Sequence, residues 1–210
     1  MVNTRRLLVG TLLLALAAGS GCSTAKKTTP ELSEMRGKKV ALVEIDGETT
    51  ARRVVEVALI NQLLKRGSFE IVSKQDLERA RQDYRENPAD WQGIGRRCGA
   101  DYAIRAKVLE FDADERTGYS KEKVEDSQLE AETGNAETER LYKVKSLEGK
   151  VRVQMDFAKL AEQDLRSGIA EHSDKVVVEA RTKRAELPPR LRFLETVSNE
   201  AFRKFFDQYE

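Results

Sequence analysis

The chain has 210 residues, with 37 Lys and Arg against 36 Asp and Glu, a net charge of +1, and 35% charged and 40% hydrophobic residues. The two signs are mixed, which excludes the clustered Lys and Arg that nucleic-acid binding uses to displace counterions, and the length suits one domain. With two cysteines and one histidine, no disulfide framework, His-based metal cluster or two-histidine catalytic site is expected.

In chain order, the first informative stretch is "LALAAGSGCSTAKK", residues 14 to 27. Arg5 and Arg6 precede an apolar run, residues 7 to 18, that falls short of the roughly 20 residues a spanning helix needs. A charged start, an apolar middle and small residues at the end are the three parts of a secretory signal, with cleavage expected between Gly21 and Cys22. Gly19, Ser20, Gly21 and Cys22 resemble the lipobox of bacterial lipoproteins, although Gly19 stands where that family usually carries leucine. The resemblance implies that Cys22 is acylated and becomes the first residue of the mature chain. Each buried methylene contributes about 0.8 kcal/mol and stable anchoring needs more than one acyl chain, which the family's modification supplies. Ser23, with no Asp at that place, implies sorting to the outer membrane with the domain in the periplasm. Ordinary secretion, with Cys22 a stray thiol, is the alternative. Loss of residues 1 to 21 removes Arg5 and Arg6 and leaves the mature chain at −1.

Residues 22 to 37 are polar and aperiodic and read as a tether. Order is expected from Lys38. In "KKVALVEI", Val40 and Leu42 mark one face of a strand and Ala41, Val43 and Ile45 the other, as in a central strand. "TTARRVVEVALINQLLKRG" follows as a helix with Ala51, Val54, Val55, Ala58, Leu59 and Leu63 on one face and Gly67 at its stop. "FEIV" reads as a short strand, and Ser73 with Asp76 as a capping box opening the helix "KQDLERARQDYRE". Asn87 before Pro88 predicts a further helix start, with Trp91, Ile94 and Cys98 on its buried face. Cys98 is then structural, the alternative being a thiol activated by Arg96 and Arg97.

Gly99 ends that helix, and "GADYAIRAKVLEF" alternates, with Tyr102, Ile104, Ala106 and Val108 on a covered face and Arg105 and Lys107 on an open one. "KVRVQMDF" turns Val151, Val153, Met155 and Phe157 inward, and "DKVVVEARTK" does the same with Val176, Val178 and Ala180. "DLRSG", ending at Gly168, is the expected hairpin turn between them. The last run, from Arg190, carries Leu191, Leu194, Val197, Ala201 and Phe205 at helical spacing. The expected class is α/β, an α+β two-layer sandwich with a mixed sheet of about five strands and helices mainly on one face. Residues 112 to 140 hold ten acids against four bases and little to bury, so they read as a flexible or partly helical insertion, or else as an acidic loop that contacts a partner.

Gly67, Phe69, Val72, Asp76 and Leu77, followed by Gly99, Ala100, Asp101, Tyr102 and Ile104, are similar to two motifs of the superfamily that holds CsgG, LpoB and the N-terminal domain of TolB. Ala106 stands near a position where that family often has glycine. The resemblance covers residues 38 to 111 well and 147 to 182 loosely. It implies an α/β domain over residues 38 to 210 and, on the LpoB-like branch, a non-catalytic regulatory module for an envelope protein such as a peptidoglycan synthase, a penicillin-binding protein. On the CsgG branch it implies a subunit or accessory of a curli-type secretion channel. No P-loop, dinucleotide fingerprint or nucleophile elbow is present, so no enzyme and no cofactor or metal site is expected. His172 reads as a surface or hairpin residue. The residues expected to meet a partner are Arg105 and Lys107 on the open strand face and Glu130 and Glu132 in the acidic insertion.

Overall fold

The structure, a computed structural model, describes residues 32–67, 69–85, 87, 89–125, 137–162, 164–179 and 186–208. The elements are α1 (Leu32–Met35), β1 (Lys39–Asp46), α2 (Thr49–Arg66), β2 (Glu70–Ile71), α3 (Lys74–Asp83), α4 (Trp91–Arg97), β3 (Tyr102–Glu125), β4 (Glu137–Lys159), β5 (Asp164–Glu179) and α5 (Arg190–Asp207). One five-stranded sheet runs in the order β2-β1-β3-β4-β5. Its left part is parallel, β1 pairing with β2 and with β3, and its right part antiparallel. The expected α/β class and mixed five-stranded sheet are what the chain forms.

The two 18-residue helices, α2 and α5, share one face. Val55, Leu59 and Leu63 of α2 and Phe202, Phe205 and Phe206 of α5 pack with Val40, Ile104, Val151, Val153 and Met155 in the larger core. Burying side chains of this size stabilises by about 1.5–3 kcal/mol each. The shorter α3 and α4 cover part of the other face, where Leu77, Ala80, Trp91 and Ile94 meet Ala41, Val43, Ala103 and Ala158. Each face has a glycine where a helix and the sheet approach closely. A Cβ at Gly149 would sit 2.8 Å from the Phe193 ring, and one at Gly95 would sit 2.9 Å from the Ala103 methyl.

Several local expectations change once the strands are paired. Order begins before Lys38, because Met35 of α1 is fully buried in the larger core and its carbonyl accepts from Lys38 N at 3.0 Å. A register shift between Leu42 and Glu44 sends Ile45 to the face of Val40 and Leu42 instead of that of Ala41 and Val43. A second shift, between Val108 and Glu110, reverses the alternation of β3, so Phe111 and Ala113 continue the row of Tyr102, Ile104 and Ala106. The other face of β3 is not wholly open either, since Ala103 is buried under α4. That helix starts at Trp91, not at Pro88. Its cap is Asp90, because the Asp90 carboxylate lies 2.8 Å from the Gly93 N–H; Asn87 N instead donates to Tyr84 O, and Pro88 is outside the described residues.

The turn between β4 and β5 comes earlier than "DLRSG". Lys159 already pairs with Asp164, and Gly168 lies within β5 opposite Met155. Alternation drives this register, because it buries Ala170 in the row of Val153. The largest correction concerns residues 112 to 140. β3 and β4 pair without further interruption out to Glu125 and Glu137, so the segment extends the sheet, flanked by β5 as far as Val144 opposite Gly118 and as a two-stranded ribbon beyond, and residues 126–136 lie outside the described ones. Composition pointed to a lack of core, and the ribbon does lack one; its backbone is ordered by continuation of a pairing set lower down.

Candidate functional site

The end of α3 and the start of α4 form a small rigid corner. Tyr84 donates its hydroxyl to Asp90 at 2.9 Å, Asp90 caps α4, and Gly93 fits because a Cβ there would meet both side chains within 2.8 Å. The Gly93 N–H, aided by Tyr84 and Arg96, holds the Asp90 carboxyl below the usual carboxylate range, while the hydrogen bond to Asp90 pushes the Tyr84 hydroxyl up. This corner places Trp91 in the first turn, nearly buried, with its ring under Arg105 of β3 at 5.3 Å.

Arg105 is therefore more committed than an open-face cation. Its guanidinium grips Asp156 of β4 through Nη2 at 2.7 Å and Nε at 3.2 Å. Ser167 of β5 donates to the other carboxylate oxygen at 2.7 Å, and Gln154 adds a longer contact at 3.4 Å. Burial alone would push the Asp156 carboxyl up, but the hydrogen bonds from Ser167, Arg105 and Gln154 outweigh it and hold the group below its usual range. Trp91, Arg105, Asp156 and Ser167 thus tie α4 to three successive strands. Lys107 stands on the same face, exposed, opposite Gln154.

Beyond this chain of contacts no helix among the described residues covers the face. Arg152 with Glu171 (3.3 Å) and Lys150 with Glu110 (2.9 Å) line it, and Leu165, Ile169 and Val177 of β5 are about half exposed there. Sequence reasoning found Arg105 and Lys107 from the alternation of β3. It missed Trp91, Asp156, Ser167 and Ile169, which approach only through pairing and helix docking; the lone acid in "VRVQMDF" was the available signal. Gly21, Cys22, Glu130 and Glu132 lie outside the described residues.

A cleft of about 580 Å³ opens at the carboxyl end of β1 between α2 and α3, the region where open α/β sheets receive ligands. Its charges offset one another. Lys74 pairs with Glu56 at 2.7 Å, Arg81 pairs with Glu78 and donates to the Val43 carbonyl, and Arg52 and Arg53 face a wall that includes Glu44 and Asp46. The cleft consequently selects no single sign of ligand. Among the described residues no group of three or more His, Cys, Asp or Glu is close enough to hold a metal ion. Cys98 is half-buried at the end of α4, and burial and the Asp76 carboxylate push its thiol up, against Lys39 and Arg81. That suits the structural role expected of Cys98 and runs opposite to the alternative of a thiol activated by Arg96 and Arg97. His172 lies on β5, with Nδ1 3.1 Å from Lys204 Nζ of α5.

No protein-family model and no curated protein matches the chain. Among solved structures it is similar to lipoprotein GNA1162 from Neisseria meningitidis, at 8% identity over 80% of this chain and 97% of that one, with a TM-score of 0.40. It is also similar to the PelC dodecamer from Paraburkholderia phytofirmans, at 12% identity over 80% and 86%, TM-score 0.34. A third is a homologue of neuraminyllactose-binding hemagglutinin from Helicobacter pylori, at 13% identity over 83% and 87%, TM-score 0.40. Likeness at this level decides nothing about function.

Proposed function

We propose that the chain is a lipid-anchored envelope protein, held in the outer membrane by acylated Cys22, whose periplasmic domain binds a protein partner without catalysing a reaction. The observation that carries this reading is the passage from an apolar run through Gly19, Ser20 and Gly21 to Cys22, followed by a short polar tether and a folded domain. The sheet face beside Arg105, Lys107 and Ile169 is the surface offered for docking. The family resemblance makes a peptidoglycan synthase the partner to try first. Labelled palmitate should enter the wild-type protein and be lost in Cys22→Ser, and equal labelling of both would overturn the anchor. Crosslinking in native membranes, followed by capture of the lipoprotein, then identifies the partner.

The length of β3 and β4, 24 and 23 residues, favours a second reading, a subunit or accessory of a secretion channel, because a barrel strand needs only about 9–11 residues. The side chains speak against it. Thr117 with Lys145, Tyr119 with Lys143 and Lys121 with Leu141 share one face of the ribbon, and Asp114 with Glu148 and Arg116 with Ser146 share the other. Neither is the apolar row that a lipid-facing strand requires. Recovery of a ring of identical subunits from the same crosslinking would favour the channel.

A further inference from the structure

β5 is the last strand of the sheet, and its 16 residues leave a long edge on the side away from β4. Such an edge templates further pairing unless something blocks it. No proline interrupts β5, it carries charges of both signs, and Ile169 and Val177 are 44% and 53% exposed on the face not covered by α2 and α5. An open cavity of about 420 Å³ lined by Lys150 and Val151 of β4 and Glu171, His172 and Ser173 of β5 lies at the middle of this last strand pair.

We propose that two copies of the chain join along this edge, β5 pairing antiparallel with β5 about a two-fold axis through Ser173. The strand is self-complementary in that register. On the open face, Ile169 of one copy stands opposite Val177 of the other, Glu171 opposite Lys175, and Ser173 opposite Ser173. On the face of the main core, Ala170 stands opposite Val176, and His172 opposite Asp174. Between Ile169 and Val177, apolar side chains thus meet apolar ones, Glu171 meets Lys175 and His172 meets Asp174, the cross-strand matches that stabilise antiparallel sheets.

Neighbouring registers lose this match. Centring on Glu171 sets Glu171 against itself, and centring on Lys175 sets Lys175 against itself and Glu171 against Glu179. A shift of one residue sets the core face of one copy against the open face of the other. In the single copy the Lys175 N–H is taken by the Asp174 carboxylate at 2.8 Å; pairing replaces that local cap with a backbone partner and releases Asp174 toward His172 of the other copy. An isologous contact of this kind closes on two subunits and exposes no new β5 edge.

The test uses the full lipoprotein extracted in detergent. Ser173→Cys should form a disulfide-linked dimer under mild oxidation at least about tenfold faster than Lys175→Cys, since directly opposed residues have Cα atoms roughly 4.5–5.5 Å apart, within disulfide reach. The two Lys175 positions would be roughly 13 Å apart, four residues out of register. Mixing Glu171→Cys with Lys175→Cys should restore crosslinking between the two. Lys175→Glu, which faces Glu171 across the axis, should shift the native mass from dimer to monomer while the monomer keeps a cooperative unfolding transition, and should remove the concentration dependence of the melting temperature. Equal crosslinking of Ser173→Cys and Lys175→Cys, a monomer at every concentration, a ring of more than two subunits, or capture of another protein's strand on β5 would each overturn the proposal.

Discussion

The same two strands behave differently along their length. From Tyr102 to Ala113, β3 and its partner stretch of β4 lie under α2 and α5, and one row of their side chains is buried. From Asp114 to Lys123, β3 pairs with β4 residue for residue as before, yet none of its side chains is buried, as with Tyr119 at 75% exposed. Ion pairs across and along the ribbon, Lys121 with Glu139 (2.8 Å), Arg116 with Asp114 (2.9 Å) and Lys145 with Glu115 (3.7 Å), replace the core. Exposed pairs of this kind contribute about 0–1 kcal/mol each. Pairing therefore continues where packing has stopped. An isolated two-stranded hairpin is marginal in water, so the ribbon depends on the base for its register.

The contrast predicts where substitutions matter. Phe202→Ala, in the base, removes a fully buried ring and should cost about 3–5 kcal/mol in chemical denaturation. Tyr119→Ala, in the ribbon, should stay within about 0.5 kcal/mol. Equal losses would show that the ribbon packs against something.

Asp156→Asn should cost about 1.5–3 kcal/mol at pH 7, as befits hydrogen bonds to a buried charge. The Asp156 carboxyl is held below its usual range in the fold, so its contribution is present above the unfolded value, about 3.9, and disappears as pH falls through the folded one. The gap between wild type and Asp156→Asn should accordingly narrow below about pH 4, as followed by denaturation at stepped pH. In the ribbon, a double-mutant cycle on Lys121 and Glu139 should return no more than about 1 kcal/mol.

Two glycines on the paired strands sharpen the same comparison. Gly149→Ala drives a methyl into Phe193 at 2.8 Å and should cost about 1–3 kcal/mol, whereas Gly118 has nothing within 4 Å, so Gly118→Ala should be nearly neutral. A small effect is expected even from removing the ribbon itself. Joining Arg116 to Ser146 through an Asn-Gly turn keeps Ala113 and Leu147 buried and should change stability by about 1 kcal/mol or less. A large fall in melting temperature would mean that the ribbon supports the base.

Much of the base is legible in the sequence. The apolar spacing of residues 51 to 63 forms α2 as read, Ser73 accepts the Asp76 N–H at 3.1 Å, and Gly99 takes the positive φ of +65° that ends α4. Val151, Val153, Met155 and Phe157 point inward as their alternation requires. These features are local, or repeat with the period of one element, so a single segment carries the signal. The reach of β3 and β4 past Asp112 was not legible, because charge-rich composition reports the absence of a core and is silent about pairing that starts elsewhere.

The site divides in the same way. Alternation along β3 put Arg105 and Lys107 on one face, and that is where they stand. Whether Arg105 is a free docking group or a brace depends on Trp91, Asp156 and Ser167, which lie on three other elements. The sequence by itself determined the class of the fold, the buried faces of α2 and of β4 from Val151 to Phe157, and the signal-like passage into Cys22, since these rest on short-range periodicity and residue chemistry. Tertiary structure decided the two register shifts, the early turn into β5 and the brace around Asp156. Each depends on which strand lies beside which, and backbone pairing combined with burial of one row chooses among registers that local propensity leaves nearly equal.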